Sequence, residues 1–185
     1  VMDKRSLPGL DALLVVADGM GGHRAGEVAS GMAVDIIRSC ASLWGSNRGS
    51  GLAVDWKDRL EQAALECNRR IYQAGRSPVM AGMGTTLTVA VIEKDTLHLA
   101  HVGDSRAYLL SSSGLRQLSI DHTYLQEAQN QGVLTQGQLN DHPDKGVLTR
   151  AVGPYPRVEV DSDSYPLNIG DTVLICSDGL HSVVP

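Results

Sequence analysis

Two apolar stretches of this chain end in the same way, on an aspartate followed by glycine. Leu13-Leu14-Val15-Val16-Ala17 runs into Asp18-Gly19, and Thr172 to Cys176 runs into Ser177-Asp178-Gly179. A short apolar run closed by a turn dipeptide predicts a buried strand, the first of them expected centrally in a sheet. Each aspartate then stands at a strand end, where glycine lets the backbone turn sharply. A third is placed similarly, since Asp104 follows the apolar stretch Leu97 to Val102 and precedes Ser105-Arg106. Three carboxylates converging on one edge of a sheet would repel, and at least one would have to take up a proton. A hard divalent cation such as Mg²⁺ or Mn²⁺ removes that conflict, because it prefers oxygen ligands and keeps several waters. A single Asp-Gly pair is an ordinary turn; three strand-end aspartates in one chain weigh against that reading.

The 185 residues suit one domain with a real core. Hydrophobic residues at 42% and charged residues at 20% exclude a disordered or collagen-like chain. Sixteen basic against twenty-one acidic residues give a net charge of −5, which argues against a nucleic-acid or membrane-surface binder. Cys40, Cys67 and Cys176 are odd in number and form no C-x-x-C, so a disulfide scaffold and a structural zinc site are not expected and a reducing compartment is. No run of about 18 apolar residues suggests a membrane span. The expected location is cytoplasmic. There is no Phe, so the core must be built from aliphatic and small side chains.

Val28, Met32, Ile36, Cys40 and Leu43 recur at spacings of four and three and predict one helix from Ala25 onward. The glycine- and serine-containing stretch 45–51 breaks it, and Trp56, Leu60, Ala63, Cys67 and Ile71 predict a second helix packed on the first. Thr85 to Ile92 and Leu97 to Val102, separated by Glu93-Lys94-Asp95-Thr96, read as a β-hairpin. Ala107 to Leu110 and Leu115 to Leu118 read as another. The polar stretch Asp121 to Asp144, with a short helix at Tyr124 to Gln131, is expected as a surface excursion. Strands resume at Val158 to Tyr165 and Thr172 to Cys176. Helices between hairpins indicate an α+β layered domain rather than a parallel array.

Other chemistry finds less support. The loop Gly19-Met20-Gly21-Gly22-His23-Arg24-Ala25-Gly26-Glu27 lacks both the Walker ending and the dinucleotide fingerprint. His98 and His101 fall on opposite faces of a strand and cannot share a metal. Ser105 and Ser177 lack a G-x-S-x-G elbow, and Cys176 reads as a small buried hydrophobe. Arg106 is expected to pair with a local carboxylate, and Arg150 to be structural.

Taken in order, Val16-Ala17-Asp18-Gly19-Met20-Gly21-Gly22-His23, Gly26-Glu27-Val28-Ala29-Ser30, Gly84-Thr85-Thr86, His101-Val102-Gly103-Asp104-Ser105-Arg106, Asp121-His122-Thr123, His142-Pro143, Leu148-Thr149-Arg150-Ala151-Val152-Gly153 and Cys176-Ser177-Asp178-Gly179-Leu180 resemble the PPM-type (protein phosphatase 2C) serine/threonine phosphatases, above all the bacterial ones. The resemblance implies a sandwich of two antiparallel sheets flanked by helical hairpins, in four layers. It implies two Mn²⁺ or Mg²⁺ ions, with a third in bacterial members. Asp18 resembles the bridging carboxylate, Gly19 the ligand acting through its carbonyl, and Asp178 a ligand of the first metal. Asp104 resembles the aspartate that shares the third ion with Asp178, and residues 121–145 resemble a flap bordering the site.

The implied activity is hydrolysis of phosphoserine and phosphothreonine on proteins by a hydroxide bridging two cations about 4 Å apart. Asp18 and Asp178 then carry catalysis without a phosphoenzyme. Met20 stands where some members carry a histidine, and His23 is a nearby candidate for substrate contact. The partners implied are phosphorylated targets of a serine/threonine kinase in signal transduction, met by a monomer. Two departures are visible: Val1 to Leu14 lacks the upstream arginine and acidic motif, and the later Asp-Asn does not occur. The expectation is an incomplete catalytic domain over 1–185, weakly active or inactive alone. A non-catalytic phosphoprotein-binding or regulatory module on the same fold is the alternative.

Overall fold

A computed structural model describes residues 10–44, 55–134, 138 and 142–184. The loop expected over 45–51 lies outside them. β1 (Ala12–Val16) leads to the short β2 (Gly19–Met20), and two helices follow, α1 (His23–Trp44) and α2 (Trp56–Ala74). Next come β3 (Gly84–Thr85), the hairpin β4 (Leu87–Glu93) and β5 (Thr96–Val102), and the hairpin β6 (Arg106–Ser111) and β7 (Gly114–Gln117). The chain continues through α3 (Tyr124–Asn130), β8 (Asp161–Pro166), β9 (Thr172–Cys176) and the single turn α4 (Asp178–His181). One antiparallel sheet has the order β1-β4-β5-β8, a second the order β7-β6-β9, and β2 pairs with β3.

The hairpin β4–β5 is the spine of the molecule, because alternate residues serve two cores. Val89, Val91, Ala100 and Val102 belong to the core shared with the helices, whereas Ala90, Leu97 and Leu99 join Ala107, Val173 and Ile175 between the sheets. Helix pair, first sheet and second sheet thus form three of the expected layers; the fourth, helical one is not represented among the described residues.

α2 buries Trp56, Leu60, Ala63, Cys67 and Ile71, the stripe predicted for it. For α1 the prediction is off by part of a turn. Its buried side chains are Ala25, Ala29, Ala33, Ile36, Ile37, Ala41 and Trp44, while Val28, Met32 and Cys40 flank the core and Leu43 is 66% exposed. The buried stripe is small because the helix start lies against β2. A Cβ on Gly19 would stand 2.1 Å from the carbonyl oxygen of Gly26, so only two glycines allow this approach.

β1 also departs from expectation. Among the described residues it pairs only with β4, and apart from Leu13 its side chains are half-buried rather than covered on both faces. An apolar run reports covered faces and is silent about how many hydrogen-bonding edges are used. The excursion 121–144 is less superficial than predicted, since Asp121, His122 and Thr123 are all buried. β8 begins at Asp161; Val158 and Val160 pack against the core ahead of it.

Candidate active site

β1, β5 and β9 deliver Asp18, Asp104 and Asp178 to one end of the two sheets. The carboxyls of Asp18 and Asp178 are close enough to interact directly. Partial burial, followed by the neighbouring Asp178 carboxyl, raises the pKa of Asp18 above the ordinary carboxylate range. Asp104 is raised to about 6, first by burial and then by the charges of Asp178 and Asp121. Asp178 is exposed at the first position of α4, and His181 at the other end of that turn donates from Nε2 to the Asp104 carbonyl at 2.9 Å.

The main chain of Asp18 is held from both sides. Its N–H donates to Thr86 Oγ1 at 2.9 Å, and its carbonyl accepts from the Thr86 N–H at 2.8 Å and from Thr85 Oγ1 at 2.9 Å. The Thr86 hydroxyl lies 2.7 Å from Ser105 Oγ, so buried hydroxyls connect the Asp18 turn to the Asp104 turn. Gly103 adopts φ +107°, and a Cβ there would meet Thr86 Cβ at 2.7 Å. Glycine is therefore required beside Asp104 both for its conformation and for space.

A cleft of about 670 Å³ opens at this end, with Asp104 and Asp178 on one side and Gln126, Gln129 and Lys145 contributed by the segment from α3 onward. Arg106, also in its lining, is committed: its Nη2 and Nε donate to Asp121 Oδ2 and Oδ1 at 2.6 and 2.9 Å, and its Nη1 to the Tyr108 hydroxyl at 3.2 Å. Burial disfavours its charge, but the Asp121 hydrogen bonds outweigh that and raise its pKa. Arg150 likewise pairs with Asp161 at 2.8 Å, the structural role expected of it.

Among the described residues no convincing nucleophile stands here. Cys176 is buried, and burial pushes its thiol upward and keeps it protonated. Ser105 is fully buried and hydrogen-bonded to Thr86. His98 stacks on Trp56 on the helix side, whereas His101 faces the other way against His122, at 4.9 Å between ring centroids. His23 begins α1, but its side chain lies outside the described residues.

The donor set suits a hard cation: mutually repelling carboxylates, Asp18 and Asp104 with raised proton affinity, and no soft ligand among them. Among the described residues no group of three His, Cys, Asp or Glu side chains encloses an ion by itself, so the set is an open one that leaves positions for water or further ligands. No role for Thr86, Ser105, His122 or Asp161 follows from local sequence pattern. Their signal was polar side chains at inward positions of otherwise apolar strands and at buried loop positions, a pattern that demands hydrogen-bond partners.

Carboxylates gathered at the strand ends of an α+β sandwich suit a divalent-cation site, and sequence comparison settles the family. A match to protein phosphatase 2C spans residues 3–184, and the chain belongs to that family of protein phosphatases. The serine/threonine phosphatase stp of Listeria welshimeri is 41% identical over 174 residues, covering 94% of this chain and 68% of that protein. The crystal structure of serine/threonine phosphatase Stp1 from Staphylococcus aureus superposes with a TM-score of 0.84 at 31% identity, covering 96% of this chain and 70% of that one. The catalytic domain of serine threonine protein phosphatase PstP in complex with two manganese ions has a TM-score of 0.76 at 33% identity, covering 91% and 67%.

Proposed function

We propose that this chain carries a metal-dependent site that hydrolyses phosphoserine and phosphothreonine on proteins. The observation behind it is the paired carboxyls of Asp18 and Asp178 with Asp104 beside them, in a family one of whose solved members holds two manganese ions. Asp18, the carbonyl of Gly19 and Asp178 would hold two Mn²⁺ or Mg²⁺ ions, and Asp104 with Asp178 a third. Such ions supply activation of water near neutral pH and neutralisation of phosphate charge.

The chain's own residues have separable tasks. Thr85 and Thr86 fix the backbone of Asp18, leaving its carboxyl to ligation. Lys145, lining the cleft with the acidic residues, brings a positive charge to an incoming phosphate. Gln126 and Gln129 offer amides to the surrounding polypeptide, and we assign residues 121–145 as a flap of which Gln126, Gln129 and Lys145 line this wall. His23, at the start of α1, is assigned to substrate contact.

No described helix is long and apolar enough to cross a membrane. The reading extends to a cytoplasmic monomer acting on targets of a serine/threonine kinase. Hydrolysis of p-nitrophenyl phosphate and of a phosphothreonine peptide by the full-length protein, with and without Mn²⁺, tests it. Turnover that requires the metal supports the proposal. Binding of the phosphopeptide without turnover under any divalent cation would point to a non-catalytic module instead.

A further inference from the structure

His122 is buried, with 2% of its side chain exposed, yet every polar atom it owns is occupied. Its backbone N–H donates to the Gly103 carbonyl at 2.8 Å, and its Nδ1 accepts from the Gly103 N–H at 3.0 Å. Both main-chain groups of the residue before Asp104 thus end on one histidine. Because Nδ1 accepts from an N–H, the proton resides on Nε2, which donates to Asp161 Oδ2 at 3.0 Å. Arg150 Nη1 holds the other oxygen of Asp161 at 2.8 Å, and the His122 carbonyl accepts from the Thr149 N–H at 3.0 Å. Burial, the largest influence, lowers the pKa of His122 and keeps the ring neutral, as the Gly103 bond requires.

We infer that His122 is a positioning residue for Asp104, its Nδ1 lone pair fixing the Val102–Gly103 peptide that leads into Asp104 while Asp161 and Arg150 fix the tautomer that makes this lone pair available. The inference rests on the proposed ligation by Asp104 for its functional consequence and on geometry alone for the strut itself. Without the Nδ1 acceptor, the Gly103 N–H would be buried and unpaired, and the turn would relax to find another partner. Supporting groups of this kind around a metal site alter affinity by roughly 10–100-fold when removed.

Two amide substitutions separate the two ring nitrogens. In His122→Asn the amide oxygen reaches the place of Nδ1 and can still accept from Gly103; in His122→Gln the amide reaches the place of Nε2 and serves Asp161 alone. Mn²⁺ titration followed by electron paramagnetic resonance is expected to show weakest-site affinity reduced about tenfold or more in His122→Gln. His122→Asn should stay within about threefold of the parent, well short of that supporting-group effect. Amide hydrogen exchange of the segment around Gly103 should accelerate in the Gln variant and not in the Asn variant. Equal effects of the two substitutions, or none, would overturn the inference. Should His122→Gln fail to fold, Asp161→Asn serves: faster Gly103 exchange supports the strut, and unchanged exchange refutes it. Mn²⁺ binding that Asp104→Asn leaves intact would remove the metal reading of Asp104, while exchange at Gly103 still reports on His122 independently.

Discussion

The two ends of the β4–β5 hairpin are built from similar residues to opposite purposes. At the Glu93–Thr96 turn, Trp56 lies between Trp44, His98 and Arg59 and donates its Nε1 proton to Glu93 at 2.8 Å. Aromatic surface dominates there, and the polar groups sit at its rim. At the other end Thr86, Thr88, His101 and Ser105 are completely buried and bonded to one another and to backbone, with raised carboxyls beyond them. One end adds stability; the other uses buried hydrogen bonds to hold charges that disfavour one another. A hairpin whose polar content concentrates at one end thereby marks the working end.

The sharpest way to break this contrast is to delete the aromatic anchor. Trp56 is 3% exposed, and Trp56→Ala should cost about 3–5 kcal/mol in urea unfolding while leaving kcat unchanged below the transition. Asp18→Asn should do the reverse. Turnover is expected to fall at least a hundredfold, on the order of 3 kcal/mol of lost transition-state stabilisation, and the metal-free melting temperature should hold or rise. Burial and Asp178 both oppose ionisation of Asp18, so the amide relieves an unfavourable charge. A drop in melting temperature as large as that of Trp56→Ala would erase the distinction.

A pH series sharpens the comparison further. His101 donates from Nε2 to the Ile120 carbonyl, accepts from Thr88 at Nδ1, and is held at about 4, chiefly by burial, against 6.5 for a free imidazole. A base with a depressed folded-state pKa gives stability that is complete above the unfolded value. Stability is therefore lost as pH falls from 6.5 towards 4, by up to about 3 kcal/mol. His98 and His122 are lowered as well and add in the same sense, whereas the raised Asp18 and Asp104 act oppositely in metal-free protein. The difference between parent and His101→Gln in urea midpoints across this window isolates His101; identical slopes would contradict the assignment. The smallest effect is expected for Thr86→Val, which leaves the Asp18 N–H without its acceptor. A cost of about 1–3 kcal/mol should accompany weaker Mn²⁺ activation, read from the metal concentration at half-maximal rate.

Much of this contrast was legible in the sequence. The stripe of α2 and both hairpins follow from periodicity, and the strand-end aspartates pointed to a cation site before any geometry. The pairing of β1 with β4 was not legible, because Leu13 to Ala17 shows which faces are covered and not which strands lie alongside. The alanine face of α1 was hidden for a related reason. Hydrophobic spacing favours large residues such as Leu43, while the close contact of Gly19 with Gly26 selects small ones. The hydrogen-bonding role of Thr86, Ser105 and His122 depends on pairings 19 to 68 residues apart in sequence, which no local pattern encodes.

Asp18, Asp104 and Asp178 are proposed to form one divalent-cation site. Isothermal titration of the protein with Mn²⁺, repeated on Asp18→Asn and Asp178→Asn, measures this most directly. The account predicts at least two ions per chain for the parent and loss of at least one in each variant. Binding that is absent from the parent, or equal in all three proteins, would contradict it.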